Sequence, residues 1–209
     1  MRIALSQRVE EVASHGETRD CLDRRWHDLL AKYNHLGLAV PNRSESAAEW
    51  CDKTRIEGII LTGGNDISGQ PGAKNVSIER DATERELLDY ARRNSLPILG
   101  VCRGLQFLNV ELGGELELAH GHVAVEHEIK CRGNRFLQAD IVLVNSYHGY
   151  AISKNGLADE LAPWAESADG FVEAVSHKQY SWVGIMWHPE RSSSTLDSAI
   201  IEKLFTDAH

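Results

Sequence analysis

Pro97-Ile98-Leu99-Gly100-Val101-Cys102-Arg103-Gly104-Leu105 decides how this chain is read, because its pattern changes within a single bend. Pro97 to Val101 is a short apolar run, as a strand buried on both faces requires. Leu105 to Leu112 is apolar and helix-like, closed by Gly113-Gly114. A cysteine between them would be lifted out of the sheet, and the flanking Gly100 and Gly104 would relieve the crowding of so sharp a turn. Its sulfur would lie at the amino end of the helix, where free backbone N–H groups and the helix dipole favour thiolate over thiol. A free cysteine is more often a small buried packing residue. Here the two glycines and the strand-to-helix context reverse that preference.

Working upstream, Ile56 to Thr62 reads as a strand running into Gly63-Gly64, and Glu79 to Asn94 as a helix with a wet face. Arg2 to Leu5 and Leu38 to Pro41 read as short strands. A helix is expected from about Thr18 to Tyr33, where Leu22, Trp26, Leu29 and Leu30 recur at helical spacing before a stop at Gly37. A short helix fits Ser46 to Lys53, and a polar loop fits Ile67 to Val76. Strands alternating with helices imply parallel pairing with helices on both faces of one sheet. Beyond residue 115 the pattern changes to short strands at Asp140–Val144, Phe171–Ser176 and Trp182–Trp187, then a helix from about Ser194 to Phe205. One α/β domain spanning residues 1–209 is expected.

Composition narrows the function. Among 209 residues, 22 are basic and 31 acidic, a formal charge of −9 that argues against bulk binding to nucleic acid or anionic lipid. No apolar run reaches the roughly 18 residues of a membrane span, and the start, Met1-Arg2-Ile3-Ala4-Leu5-Ser6, turns polar at once. Cys21, Cys51, Cys102 and Cys131 show no close pairing, so a reducing, cytoplasmic setting is the default.

A cysteine nucleophile needs a base, an orienting group and a place for the oxyanion. Trp187-His188-Pro189-Glu190, after the late strand, offers an imidazole that titrates near neutrality and a carboxylate two positions on to hold it. Alone, His-Pro-Glu is an ordinary surface turn. Leu61-Thr62-Gly63-Gly64-Asn65-Asp66 can aim backbone N–H groups at a developing negative oxygen, although a tight structural turn reads equally well locally. All three pieces fall at expected carboxyl ends of strands, the edge where open α/β sheets place their sites.

With these residues assembled, the chain resembles the class I glutamine amidotransferase superfamily and, within it, the γ-glutamyl hydrolases of peptidase C26 type. The likeness is densest over Ile56–Glu115 and Asn145–Arg191. It implies a three-layer, flavodoxin-like α/β sandwich on a mostly parallel sheet. It implies a triad of Cys102, His188 and Glu190, with the backbone amides of Gly64 and Arg103 as oxyanion hole. Around the γ-glutamyl group it implies Gly63, Asn65, Gln106, the segment Ser146-Tyr147-His148, and Glu173. No metal or redox cofactor is implied. The charge-dense Gly16 to Trp26, the stretch Gly121 to Ile129, and Ser6-Gln7-Arg8 look like the small γ-glutamyl-CDP-amidate hydrolases of capsular phosphoramidate biosynthesis. A leaving group bearing pyrophosphate needs cationic donors, and Arg8 and Arg19 are the candidates, each balanced against pairing with nearby acids.

Other readings stay open. The leaving group could be a simple amine, as in γ-glutamyl-GABA. The chain could be a glutaminase subunit feeding ammonia to a separate synthase, or a ligand-sensing member of the fold without turnover. The partner expected is a small molecule, and the chain itself a monomer or homodimer. His120, His122 and His127 with Glu126 lack a cysteine pair and read as a hydrogen-bonded loop near the pocket mouth rather than a metal site.

Overall fold

The computed structural model describes residues 1–42, 46–134, 136, 138 and 140–206. In chain order, β1 (Arg2–Leu5) leads to a hairpin of β2 (Arg8–Val12) and β3 (Glu17–Cys21), then α1 (Arg25–Lys32), β4 (Leu36–Ala39), α2 (Ala47–Thr54) and β5 (Gly58–Leu61). Next come α3 (Ile78–Asn94), β6 (Ile98–Val101) and α4 (Arg103–Glu111). The second half holds β7 (Glu117–Leu118), β8 (Val123–Cys131), β9 (Asp140–Tyr147) and β10 (Tyr150–Ala151). It ends with β11 (Leu161–Ser167), β12 (Val172–His177), β13 (Trp182–Ile185) and α5 (Thr195–Phe205).

Nine strands form one sheet in the order β4-β1-β5-β6-β13-β12-β11-β8-β9. The first five run parallel, and from β13 through β12, β11 and β8 to β9 every pairing is antiparallel. Alternation along each strand feeds two cores. Ile3 and Leu5 pack with Trp26, Leu29 and Leu30 of α1 and with Ile200, Leu204 and Phe205 of α5. Ala4, Ile59 and Leu61 pack on the other face with Cys51 of α2, Leu87 and Leu88 of α3, and Phe107 and Leu108 of α4. Each such fully buried large side chain contributes about 1.5–3 kcal/mol. The result is the three-layer α/β sandwich that the alternating pattern implied. No helix among the described residues is long and apolar enough to cross a membrane.

Two expectations need correction. The helix expected over Thr18–Tyr33 begins only at Arg25, because Glu17–Cys21 pairs antiparallel with Arg8–Val12. Its stop is Asn34, in the left-handed conformation at φ +55, whereas Gly37 sits inside β4. A Cβ at Gly37 would come within 2.8 Å of Leu5 Cδ1, which accounts for the glycine there. The segment of His120, His122, Glu126 and His127, expected as a hydrogen-bonded loop, is one only at its start: Glu126 and His127 lie in β8, the penultimate strand of the sheet. Strand β11 went unforeseen because Pro163 and two register shifts interrupt its pattern.

Candidate active site

Strand order brings the expected groups together. Central strand β6 lies between β5 and β13, with Val101 opposite Ile185 and Gly100 opposite Leu61. The chain therefore leaves β5 at Thr62-Gly63-Gly64, β6 at Cys102 and β13 at Met186-Trp187-His188, all at one edge of the sheet. Cys102 continues the ladder, its N–H donating to the Ile185 carbonyl at 2.8 Å, and then turns at φ +52, ψ −104 into α4. That left-handed backbone is costly for a residue with a Cβ and re-aims the sulfur away from the sheet. Gly104 permits the turn: a Cβ there would lie 2.1 Å from the Leu61 carbonyl oxygen.

His188 and Glu190 complete a row with the sulfur. Nδ1 of His188 lies 2.7 Å from Glu190 Oε1, and the ring hydrogen-bonds Cys102. Burial opposes charge on this imidazole, but the sulfur of Cys102, by hydrogen bond and by charge, and then Glu190, outweigh it and push the His188 pKa up to about 10. Asn145 of β9 grips the His188 backbone from both sides: His188 N–H donates to Asn145 Oδ1 at 2.9 Å, and Asn145 Nδ2 donates to the His188 carbonyl at 2.9 Å. Trp187 Nε1 donates to Asp197 Oδ1 at 2.7 Å, tying the segment to α5. Burial pushes the thiol of Cys51 up to about 12 and that of Cys131 up to about 11.

These groups open into a cleft of about 410 Å³ walled by Arg8, Cys21, Leu22, Asp23, Trp26, Thr62, Gly63, Gly64, Tyr147 and Arg191. Tyr147 stands edge-on to His188 at 5.8 Å, and the Arg191 guanidinium lies 4.0 Å from the Tyr147 ring centre. A larger groove of about 810 Å³, between the β2–β3 hairpin and Lys74–Glu79, holds no cysteine or histidine.

Of the expected site residues, Cys102, His188, Glu190, Gly63, Gly64, Tyr147 and Arg8 share this cleft. Arg103 contributes the first turn of α4, while its side chain runs inward to Asp81 and Glu84. Asn65 is committed elsewhere: its side chain exchanges bonds of 2.8 and 2.9 Å with the Val9 backbone and so clips the hairpin to the glycine turn. Gln106 donates to the Tyr150 carbonyl at 2.9 Å, and Ser146 to the His122 carbonyl at 2.7 Å. His148 and Glu173 are buried against each other and do not line the cleft. Arg19, expected near a helix start, is on β3 and paired with Glu17 at 2.5 Å.

Sequence reasoning missed the support beneath the site. Arg80, fully buried, donates to the carbonyls of Thr62 at 2.7 Å and Gly63 at 3.1 Å, and pairs with Glu84 at 3.0 Å. Asp81 and Glu84 hold Arg103, so four buried charges join the glycine turn to the cysteine bend. The signal was present: Arg80 and Glu84 extend the buried stripe of Leu87 and Ala91 backward at helical spacing. Charged residues on an inward face imply partners.

The site therefore sets a cysteine at a strained strand-to-helix bend beside a carboxylate-backed histidine, at one sheet edge of an α/β domain. The particular family is established by sequence: the Peptidase C26 family matches residues 3–190, and the chain belongs to it. The chain is 30% identical over 207 residues to a γ-glutamyl-CDP-amidate hydrolase of Campylobacter jejuni, covering 99% of this chain and 98% of that one. It is 31% identical to a γ-glutamyl-γ-aminobutyrate hydrolase of Escherichia coli O157:H7, over 86% and 82% of the two chains. A glutamine amidotransferase structure from Thermotoga maritima superposes with a TM-score of 0.73 over 99% of this chain and 98% of that one; at 15% identity this likeness shows the fold.

Proposed function

We propose that this protein hydrolyses the amide bond of a γ-glutamyl substrate through a thioester on Cys102. The observation that carries the reading is the hydrogen-bonded row Cys102–His188–Glu190 on the floor of one cleft. The Cys102 thiolate attacks the γ-carbonyl carbon, and the carbonyl oxygen becomes an anion met by backbone N–H groups of Gly64 and Arg103. His188 gives its proton to the amide nitrogen, the C–N bond breaks and the amine leaves. Water then loses a proton to His188, attacks the thioester carbon and releases glutamate, and the proton returns to the sulfur–imidazole pair. Glu190 holds the ring and balances its charge.

For the leaving group we favour a nucleotidyl phosphoramidate, as in γ-glutamyl-CDP-amidate, which would place the reaction in capsular phosphoramidate synthesis. Arg8, ion-paired with Glu10, and Arg191, beside Glu190, place two guanidinium groups on the cleft wall, and the Campylobacter relative is named for that substrate. The four free thiols suit a cytoplasmic location.

Glutamate release is to be measured with γ-glutamyl-CDP-amidate, γ-glutamyl-GABA and glutamine side by side. The expected result is turnover of the first well above the others, and a thioester that hydroxylamine traps in wild type but not in Cys102→Ala. Arg8→Ala should raise KM for the nucleotide-bearing substrate and spare the simple amide. Turnover of glutamine alone would favour a glutaminase subunit, and no turnover of any of the three would remove the hydrolase reading.

A further inference from the structure

Outside the cleft, the antiparallel wing buries a second group of titratable side chains. His122 precedes β8, His127 lies within it, His148 sits in the turn between β9 and β10, and Glu173 is in β12. Donor atoms of His122, His148 and Glu173 all lie within 4.8 Å of one another, and these residues are 5%, 2% and 1% exposed. The rings of His122 and His127 are 5.0 Å apart, centre to centre. Those two histidines are five positions apart, an odd interval that puts side chains on opposite faces of a regular strand. The bulge between Val123 and Val125, with Ala124 at φ +58, adds the extra residue that turns both to one side.

The hydrogen bonds around the group fix where its lone pairs point. His148 Nδ1 lies 2.9 Å from the Tyr150 carbonyl oxygen, which only an N–H can satisfy, so in the neutral ring Nε2 is bare. That bare nitrogen faces Glu173 Oε1 at 3.6 Å. His122 Nε2 lies 2.8 Å from the Asp169 carboxylate, which holds the proton there and leaves Nδ1 bare. His122 Nδ1, His148 Nε2 and Glu173 Oε1 are all buried without a hydrogen-bond partner among the described residues. His127 Nε2 is 3.5 Å from Glu173 Oε2. Separations of this size are long for N–H···O bonds but match the edge, roughly 3.3 Å, of a tetrahedron with metal–ligand bonds of about 2.0 Å. An oxygen behind the ring, as Asp169 and Tyr150 provide, is the arrangement that orients metal-bound imidazole.

We propose that His122, His148 and Glu173, with His127 beside them, bind one divalent transition-metal ion, zinc in the first instance, as a structural staple of the antiparallel wing. None of these residues lines the cleft, so the ion would hold the segment before β8, the β9–β10 turn and β12 together rather than act on substrate. Two imidazoles and one carboxylate are ligands that zinc accepts readily. The competitor for the site is a proton. Glu173 raises the His127 pKa through their hydrogen bond, so an imidazolium could balance the buried carboxylate without metal. The proposal stands apart from the hydrolase reading, since it involves none of Cys102, His188 and Glu190.

The test uses the full chain carrying Cys102→Ser, which removes the thiolate as a rival ligand, with zinc measured by mass spectrometry after gel filtration. About one zinc per chain is expected, with a Tm that rises on zinc addition and falls on chelation. The Co2+-substituted protein should show the intense visible bands of a tetrahedral site. His122→Ala and Glu173→Gln should abolish both signals, while His120→Ala, at an exposed position outside the group, should keep them. Because buried variants can fail to fold, His148→Gln serves as the second probe: it should weaken zinc binding at least about tenfold with an unchanged circular dichroism spectrum. Less than about a tenth of a zinc per chain with no Tm response, or zinc binding undiminished in folded His148→Gln and His122→Ala, would overturn the site in favour of an imidazolium–carboxylate pair.

Discussion

The two halves of the sheet do different work. In the parallel half, strands of four residues alternate with helices and end at the same edge, and β1, β5, β6 and β13 hand the residues that follow them to the cleft. In the antiparallel wing, strands of up to nine residues alternate in direction and leave one side open, with Ile141 and Leu143 61% and 59% exposed. Tyr147 alone among wing residues lines the cleft, and Asn145 supports it from behind. Chemistry in this fold is delivered by parallel register, and the wing holds it in position. Strand β13 is the seam, parallel to β6 and antiparallel to β12.

Five variants break or sharpen that contrast. Cys102→Ala should reduce kcat on the order of 10⁶-fold while leaving the melting of both halves unchanged, read by steady-state assay beside calorimetry. Glu190→Gln should cost about two orders less, on the order of 10⁴-fold, and should move the pH profile. With its pKa raised from 6.5 to about 10, His188 keeps its proton below that value and loses it above. Stability from this proton is therefore fully present below about 6.5 and fades as pH rises through about 10. The alkaline limb of kcat/KM should fall near 10 in wild type and lower in Glu190→Gln.

Glu84→Ala strikes the parallel half alone. It leaves Arg80 and Arg103 short of a buried partner and should destabilise by about 3–5 kcal/mol in urea melts. Asn145→Ala cuts the link between halves. Losing its two bonds to the His188 backbone should cost about 1–3 kcal/mol and lower kcat more than it raises KM. Arg19→Ala, in an exposed pair on the hairpin, should change stability by less than about 0.5 kcal/mol.

The same contrast explains what could be read from the chain alone. Strands β1, β5, β6 and β13 are nearly continuous apolar runs because both faces are covered, and β5 and β6 are punctuated by a glycine pair and a helix start. Cys102, Gly63-Gly64 and His188-Pro189-Glu190 were legible because they fall where those runs stop. Residues at the wing's edges are half wet, Pro163 interrupts β11, and the hairpin's Arg8 to Cys21 is polar on both sides, so periodicity had little to grip. Asn145 and Arg80 escaped for another reason. Their roles rest on partners 43 and 18 residues away, Arg80 reaching the carbonyl of Thr62, and such pairings leave no local pattern.

The β2–β3 hairpin forms its own two-stranded sheet, clipped to the body by Asn65 on Val9 and by Asp20 on Asn42, and joins no strand of the main sheet. Its length and charge can therefore drift across descendants of this gene without shifting a single register in the scaffold. A graft of residues 8–21 between kin would exchange one wall of the substrate entrance and leave the reacting atoms where they are. Diversification by trim rather than by rebuilding is what that attachment allows.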